Sequence, residues 1–357
     1  MFRIEPKQVI LNVKKLNYVS IGVMHPFAFF TFLIFTFVTL ASIVMGYPYI
    51  GFPVIFVFVL IPFLDYILGV KNQNPTANQE QSWKNSKAWA WAIYLYAFTH
   101  FLVLIFAVFS TENISVLQIA ILGLVVGLYT GGLGITVAHE LCHKKNKIHQ
   151  LFADVLLASV WYCHFSVEHV RGHHFQVATM ADPASARRNE SVYRFLPRTL
   201  IGSFLHAFAI DKIAVIRGLL FSLFMTVLIY LFFNFNGFLF FIIQSGVAIL
   251  LLELVNYVEH YGLSRQKLQN GRFEQVRVEH SWNSSHLFSS LLLFNLQRHS
   301  DHHAAANLPY TVLKHQEEAP QLPSGYPGMI LLALFPKLWF RHMNKLLESY
   351  DGINQKT

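Results

Sequence analysis

The 357-residue sequence contains few charged residues and few cysteines. Only 13% of its residues are Asp, Glu, Lys or Arg, about half the share found in a typical soluble globular domain. Its two cysteines are too few for a disulfide framework, a four-cysteine zinc site or a four-cysteine iron–sulfur site. A metal would therefore have to be held mainly by other residues. The net charge is +8, but no basic stretch is interleaved with aromatic residues, so nucleic acid is not expected as a partner.

Apolar residues are in surplus instead. Hydrophobic residues make up 54% of the chain, with 34 Phe, 15 Tyr and 6 Trp. This is more than one soluble core of this size can hide from water, so part of the surface is expected to face lipid. Lys and Arg are absent from residues 16–70, 88–143 and 218–264. Each interval is long enough for two membrane spans of about 20 residues.

Turn-forming residues divide the three intervals into three hairpins. The turns fall at residues 46–48, 110–115 and 234–237. The sequence thus predicts an all-α protein with six transmembrane helices, near residues 26–46, 50–70, 88–110, 116–138, 216–233 and 238–259.

The distribution of basic residues predicts the orientation of these spans. The three turns carry no Lys or Arg, so the positive-inside rule places both termini on the cytoplasmic side. Two polar regions, 139–215 and 262–357, are expected on that side as a histidine-rich helical cap. We interpret residues 1–357 as a single integral-membrane domain.

Nine of the 18 histidines occur in four short segments beside the predicted spans. The segments read HELCHK, EHVRGHH, NYVEHYG and LQRHSDHH. Their histidines are His139, His143, His169, His173, His174, His260, His299, His302 and His303. Spacings of three to five residues place each set on one face of a helix. The spans that end near residues 138 and 259 bring the sets to the same membrane face.

Nine imidazoles crowded at one face could not all be protonated, and neutral imidazole is a ligand for zinc, copper, iron or nickel. Nine ligands exceed the needs of one ion. Shared between two ions, they give four or five each and leave positions for a small molecule such as dioxygen. HExxH alone, from His139 to His143, would also suit a zinc peptidase. We interpret six other histidines as ordinary core or surface residues: His25, His100, His149, His206, His315 and His342.

The four segments resemble the signature boxes of the integral-membrane alkane hydroxylase (alkane 1-monooxygenase) family, within the membrane di-iron desaturases and hydroxylases. The resemblance covers roughly residues 20–345, and NYVEHYG and LQRHSDHH are its specific parts. It implies two non-haem irons held by the nine histidines. It also implies dioxygen-dependent terminal hydroxylation of medium- or long-chain n-alkanes to 1-alkanols in the bacterial cytoplasmic membrane. Electrons would come from rubredoxin, supplied by a reductase and NADH. Because the chain has no paired CxxC sequences, we expect rubredoxin to be a separate protein.

Two ferrous ions bound by neutral histidines favour carboxylates nearby. Four acids lie inside the boxes and are expected to accept hydrogen bonds from imidazole N–H groups: Glu140, Glu168, Glu259 and Asp301. Direct ligation by one of them is the alternative. Four further residues are candidates to orient the ligands: Asp65, Asp182, His280 and His286. Asp65 would otherwise be an acid near the lipid headgroups, and Asp182 a helix cap before Pro183.

Three other functions share parts of this pattern. Hydroxylation of an aromatic methyl group, as in the xylene monooxygenase branch, uses related residues. A fatty-acyl desaturase would share the first two boxes. A metal transporter could use the histidines as a relay, but a relay needs polar residues deep within the spans. Iron is favoured over zinc because a strong terminal C–H bond requires oxidative cofactor chemistry.

Overall fold

The computed structural model describes residues 25–354. Helices make up most of this part of the chain, and β-structure within it is limited to isolated bridges. Twelve helices are used below: α1 Pro26–Met45, α2 Tyr49–Leu68, α3 Ala77–Asn85, α4 Ala88–Phe109, α5 Val116–Cys142, α6 Lys147–Ala158, α7 Phe165–Glu168, α8 Val192–His260, α9 Leu287–Leu292, α10 His299–Ala304, α11 Tyr326–Ala333 and α12 Pro336–Asn354. Short 3-10 turns lie at Val278–His280 and Tyr310–Val312.

Five of the helices in residues 25–354 are long and apolar enough to cross a membrane, namely α1, α2, α4, α5 and α8. The first four lie within four residues of the predicted spans at each end. The apolar intervals of the sequence therefore correspond to helices of spanning length, and the chain is a multi-pass membrane protein.

The fifth long helix, α8, combines both remaining predicted spans. A straight helix of its 69 residues would be roughly 100 Å long, about three times the thickness of a bilayer's hydrocarbon core. Its backbone is non-helical at Asp211 and at Asn234, and the second break falls in the predicted turn at 234–237. Each stretch after a break is long enough for one crossing. The count of six spans stays a prediction.

Helix α5 packs closely against the second half of α8 at glycines, which have no side chain. A Cβ atom on Gly123 would lie 2.6 Å from Ile243, and one on Gly127 would lie 2.5 Å from Val247. Small residues allow helix backbones to approach within a membrane, where apolar side chains gain little by leaving lipid. The outer surfaces of the spans remain apolar, as shown by Phe37, which is 72% exposed.

One segment of the predicted cytoplasmic region 139–215 lies among the spans. After α6, the Ser159 hydroxyl is 2.9 Å from Nε2 of His100, about 18 Å along α4 from its first residue. Trp161 donates a 2.8 Å hydrogen bond to Thr226 in α8. Non-helical backbone is tolerated at this depth where protein surrounds it. Region 139–215 is thus only partly a cap.

The cap packs on the ends of the spans through buried polar contacts. Asp65, in α2, accepts a 2.9 Å hydrogen bond from the backbone N–H of Ser289 in α9. Arg298 is buried and donates to the carbonyl oxygens of Lys71 and Leu313. These bonds fix α9 and α10 relative to the membrane helices.

Candidate metal centre

The nine histidines of the four boxes meet at one place, although they come from widely separated parts of the chain. His139 lies in the last turn of α5, and His143 directly follows that helix. His260 is the last residue of α8. The remaining six come from the segment after α7 and from α10.

The side chains form two groups whose ligand atoms lie within 4.8 Å of one another. The five-histidine group contains His139, His143, His169, His174 and His302. The four-histidine group contains His173, His260, His299 and His303. Every member is buried except His174, which is partly exposed.

The nitrogen atoms in each group have the separation expected of ligands on one ion. In the five-histidine group, Nε2 of His174 is 3.0 Å from that of His169 and 3.2 Å from that of His302. In the four-histidine group, Nε2 of His299 is 3.3 Å from that of His260 and 2.9 Å from that of His303. Two imidazole nitrogens each about 2.1 Å from one ion, at right angles, are about 3 Å apart.

Several of these nitrogens have no other partner. The Nε2 atoms of His139, His143 and His173 are buried without a hydrogen bond. Burying such atoms unpaired is costly. A metal ion removes that cost, so the residues present fit a metal in each group.

A π-helical turn sets the position of the middle box. Residues His169–His173 form this turn after α7, whereas the sequence spacing predicts a regular helix. A π-helical turn places an extra residue in each turn and often occurs at functional sites. His169, at the start of this turn, belongs to the five-histidine group, and His173, at its end, belongs to the four-histidine group.

Burial keeps most of these imidazoles neutral. Burial and the neighbouring imidazoles hold the pKa of His302 and His303 well below the usual value. Only the neutral form has a free nitrogen lone pair for a metal.

His173 differs because it has an acidic partner. Burial lowers its pKa, but Asp182 outweighs this effect and raises the pKa to about 9. Asp182 is buried, and its carboxylate lies 2.9 Å from Nδ1 of His173. This is the carboxylate–histidine pairing that orients metal ligands and strengthens their donor nitrogen. Asp182 also accepts a hydrogen bond from the N–H of Ala184, but the next helix begins only at Val192. The interpretation of Asp182 as a helix cap is therefore wrong.

Glu259 faces the four-histidine group from its own position beside His260. Its Oε2 atom is 3.3 Å from Nε2 of His299. Its other oxygen accepts a 2.6 Å hydrogen bond from the buried hydroxyl of Tyr326 in α11. Glu259 therefore approaches the metal-facing side of an imidazole, whereas the sequence predicts that it accepts a hydrogen bond from an outward N–H group.

The other three acids of the boxes have different partners. Glu140 forms an ion pair with Lys144 at 2.7 Å. Glu168 lies 3.2 Å from Nδ1 of His206. Asp301 accepts a 2.8 Å hydrogen bond from the N–H of Lys314. The hydrogen bonds found for these three acids do not include the expected bonds to ligand imidazoles. Their oxygens are bonded to Lys144, His206 and Lys314 instead.

The backbone of His280 hydrogen-bonds the ligand imidazole of His260, whereas the side chains of Asp65, His280 and His286 contact other groups around the centre. Asp65 is 1% exposed and bonds to Ser289, so it is not an acid among the lipid headgroups. His280 is 3.3 Å from Glu274, and His286 is 2.9 Å from the hydroxyl of Ser284. These contacts stabilise the cap around the centre.

An apolar cavity adjoins both histidine groups. Residues of α1, α2, α5, α8, α9 and α11 line it, including Phe35, Ile61, Leu128, Leu251, Leu292 and Ile330. His139, His169, His299 and Glu259 also line it. The π-helical turn Thr130–Ile135 of α5 supplies part of the wall. The cavity offers space for an apolar molecule beside the predicted metal ligands.

Two polar residues near the centre were not singled out from the sequence. Glu253 is buried in α8, and an acid inside an apolar span is a signal that could have identified it. The sequence indicates an ordinary core or surface residue at His206, but this side chain pairs with Glu168. No spacing in the sequence marks that contact.

Sequence comparisons agree with the geometry. Residues 114–333, more than half of the chain, match the fatty acid desaturase family. Alkane 1-monooxygenase 2 of Alcanivorax borkumensis is 40% identical over 312 residues, which are 83% of this chain and 82% of the relative. The chain belongs to the fatty acid desaturase family and, within it, to the alkane 1-monooxygenases.

Two further relatives show how similarity varies within this family. Alkane 1-monooxygenase 1 of Pseudomonas aeruginosa is 46% identical over 239 residues, 63% of each chain. The hydroxylase component of xylene/toluene monooxygenase from Pseudomonas putida is 27% identical over 254 residues, 65% of this chain and 67% of the relative. The chain is thus more similar to these alkane 1-monooxygenases than to this xylene/toluene monooxygenase component.

Proposed function

We propose that the chain hydroxylates the terminal carbon of medium- or long-chain n-alkanes with dioxygen. The observation that carries the proposal is an apolar cavity lined by histidines from both groups. The overall reaction is R–H + O2 + 2 electrons + 2 H+ → R–OH + H2O. The similarity to alkane 1-monooxygenases of Alcanivorax borkumensis and Pseudomonas aeruginosa supports the same chemistry.

The two histidine groups would each hold one iron ion, with the nine histidines as ligands. Imidazole donors suit zinc, copper, nickel and iron alike. Iron supplies the redox chemistry with dioxygen that a strong C–H bond requires and that zinc lacks.

The residues of this chain bind and position the substrate. An alkane has no polar group, so only contact with apolar side chains can hold it. Phe35, Leu128 and Leu251 provide such contacts along the cavity. The same side chains exclude water, which protects the reaction from side products. Their sizes would determine the preferred alkane length.

Electrons would come from rubredoxin, with its reductase and NADH, as a separate protein on the cytoplasmic side. His174 is the one partly exposed member of the two groups. The adjacent Phe175 is 71% exposed, and Arg171 is also exposed. This region offers a short route from the surface to the centre. The chain would lie in the bacterial cytoplasmic membrane, and the distribution of Lys and Arg supports an orientation with the cap on the cytoplasmic side.

The test is turnover in membranes of an expressing host, supplied with NADH, rubredoxin and its reductase. n-Octane, n-hexadecane and p-xylene are offered separately, and products are identified by gas chromatography. We expect dioxygen-dependent 1-alkanols, lost in His260→Ala and retained in the control His149→Ala. Hydroxylation of p-xylene alone, or an alkene without oxygen insertion, would contradict the proposal.

A further inference from the structure

A second, polar cavity lies next to the apolar one. Its polar lining includes Tyr162, His164, Glu168, Ser203, Glu253 and Asn256. His169 of the five-histidine group and His173 of the four-histidine group also line it. The predicted metal ligands therefore have an apolar space and a polar space beside them.

The polar cavity is suited to water. Its free space is about that of one water molecule. The Nε2 atom of His164 is buried and has no hydrogen-bond partner in the protein. Buried water commonly occupies such a space because it satisfies polar groups that would otherwise be unpaired.

Two carboxyl groups line this cavity, Glu168 and Glu253. Glu168 is next to a predicted ligand in sequence, whereas Glu253 is not. Glu253 is 1% exposed and accepts hydrogen bonds from three uncharged donors. Thr199 donates at 2.7 Å and Asn256 at 3.2 Å, and the third donor is the hydroxyl of Tyr162. Keeping an acid inside apolar helices is costly, and such residues often mark proton or ion pathways.

The cavity connects polar groups in two directions. Outward, Glu168 pairs with His206, whose side chain is 23% exposed. Inward, Asn256 lines both the polar and the apolar cavity. Hydrogen-bonding groups therefore extend from the protein surface to the space where the substrate would lie.

We propose that the polar cavity holds water and supplies the protons that alkane hydroxylation consumes, with Glu253 as the group that receives and passes them on. The inference rests on the proposed function. In that reaction one C–H bond and the O–O bond break, and one C–O bond and three O–H bonds form. Dioxygen is reduced by four electrons, two from the C–H bond and two from the electron donor. Two protons must enter per turnover and one water must leave, and apolar side chains can conduct neither.

The test compares Glu253→Gln with the wild-type holoenzyme. Glutamine keeps the shape and an acceptor oxygen but cannot pass a proton. We expect unchanged iron content and alkane KM, a kcat lowered about tenfold or more, a larger solvent isotope effect and hydrogen peroxide released in place of alcohol. Wild-type kcat with full coupling of NADH to alcohol would overturn the proposal.

Two further variants test the proposal if the Glu253→Gln protein does not accumulate in the expressing host. Ser203→Val fills the cavity without altering the carboxyl group and should lower coupling in the same way. Tyr162→Phe removes a donor to Glu253 and should also lower coupling. Its control, Tyr129→Phe, removes an equally buried hydroxyl that contacts Thr36 and Thr99 and should not. Normal coupling in both Ser203→Val and Tyr162→Phe would contradict the proposal.

A measurement independent of activity detects the water itself. Radiolytic footprinting in H2¹⁸O, read by mass spectrometry, labels side chains next to internal water. We expect label on the buried Tyr162 and none on the buried Tyr129. Absence of label on Tyr162 would overturn the assignment of water to the cavity. Failure of the wild type to form any alcohol would instead refute the proposed function.

Discussion

The two histidine groups contain similar ligands but differ in their surroundings. The five-histidine group has one partly exposed member, His174. The four-histidine group is completely buried and has two carboxylates close to it. Asp182 lies 2.9 Å from Nδ1 of His173, and Glu259 lies 3.3 Å from Nε2 of His299.

This difference concerns how the positive charge of each ion would be balanced. The five-histidine group has one more imidazole, whereas the four-histidine group has the two carboxylates beside it. Carboxylates beside a metal stabilise its positive charge, which four neutral imidazoles leave unbalanced. We therefore expect the two metal positions to be inequivalent, and the following variants test that expectation.

The largest effect is expected when a ligand is removed from the smaller group. His299→Ala leaves three histidines there, while His143→Ala leaves four in the other group. We expect His299→Ala to lose one iron per chain and to lower alkane turnover more than about 1,000-fold, since even partners beyond the ligands are worth 10- to 100-fold. Metal analysis and gas chromatography measure both. Equal iron loss in the two variants would remove the proposed difference.

The next largest effect is expected at Asp182. Asp182→Asn keeps the size of the side chain but removes the charge that supports His173. Iron affinity should fall about 10- to 100-fold, as measured by competition with a chelator. The control is Asp154→Asn, an acid whose side chain is 41% exposed and faces Arg217. If both variants retain iron equally, the pairing of Asp182 with His173 does not support the metal.

A smaller effect is expected at the carboxylate beside His299. Glu259→Gln removes its charge but can still accept the bond from Tyr326. We expect iron content to be retained and turnover to fall about tenfold, because a hydrogen bond to a charged group contributes about 1.5–3 kcal/mol. Tyr326→Phe should act in the same direction, and the control Tyr310→Phe should not. Wild-type turnover and iron content in Glu259→Gln would exclude a role for this carboxylate.

The smallest effect is expected at Asp301, although it lies between two predicted ligands in sequence. Its carboxylate bonds to Lys314 and Gln316, not to an imidazole. Asp301→Asn should change turnover per bound iron by less than about twofold. Steady-state kinetics normalised to iron content measure this. A loss as large as that of Asp182→Asn would show that all acids of the boxes act alike.

Much of the fold could be predicted because lipid imposes a simple rule on sequence. Helices α1, α2, α4 and α5 lie within the intervals that lack Lys and Arg. The rule does not describe a segment that lies between the spans and is surrounded by protein. The position of Ser159 and Trp161 among the spans was therefore not predicted. Nor does the rule distinguish one kinked helix from two, as in α8.

The histidines of the centre were identifiable because their spacing fits helical faces. Their division into five and four was not, since it depends on how elements distant in sequence meet. The roles of the acids could not be read from sequence for the same reason. Glu140 and Asp301 are adjacent to ligands along the chain but bond to other elements of the cap.

The most direct test of this account is Mössbauer spectroscopy of the protein loaded with ⁵⁷Fe, combined with iron determination per chain. Two inequivalent metal positions predict two irons per chain and two quadrupole doublets of equal area, one for each histidine group. A single doublet, or one iron per fully active chain, would contradict it.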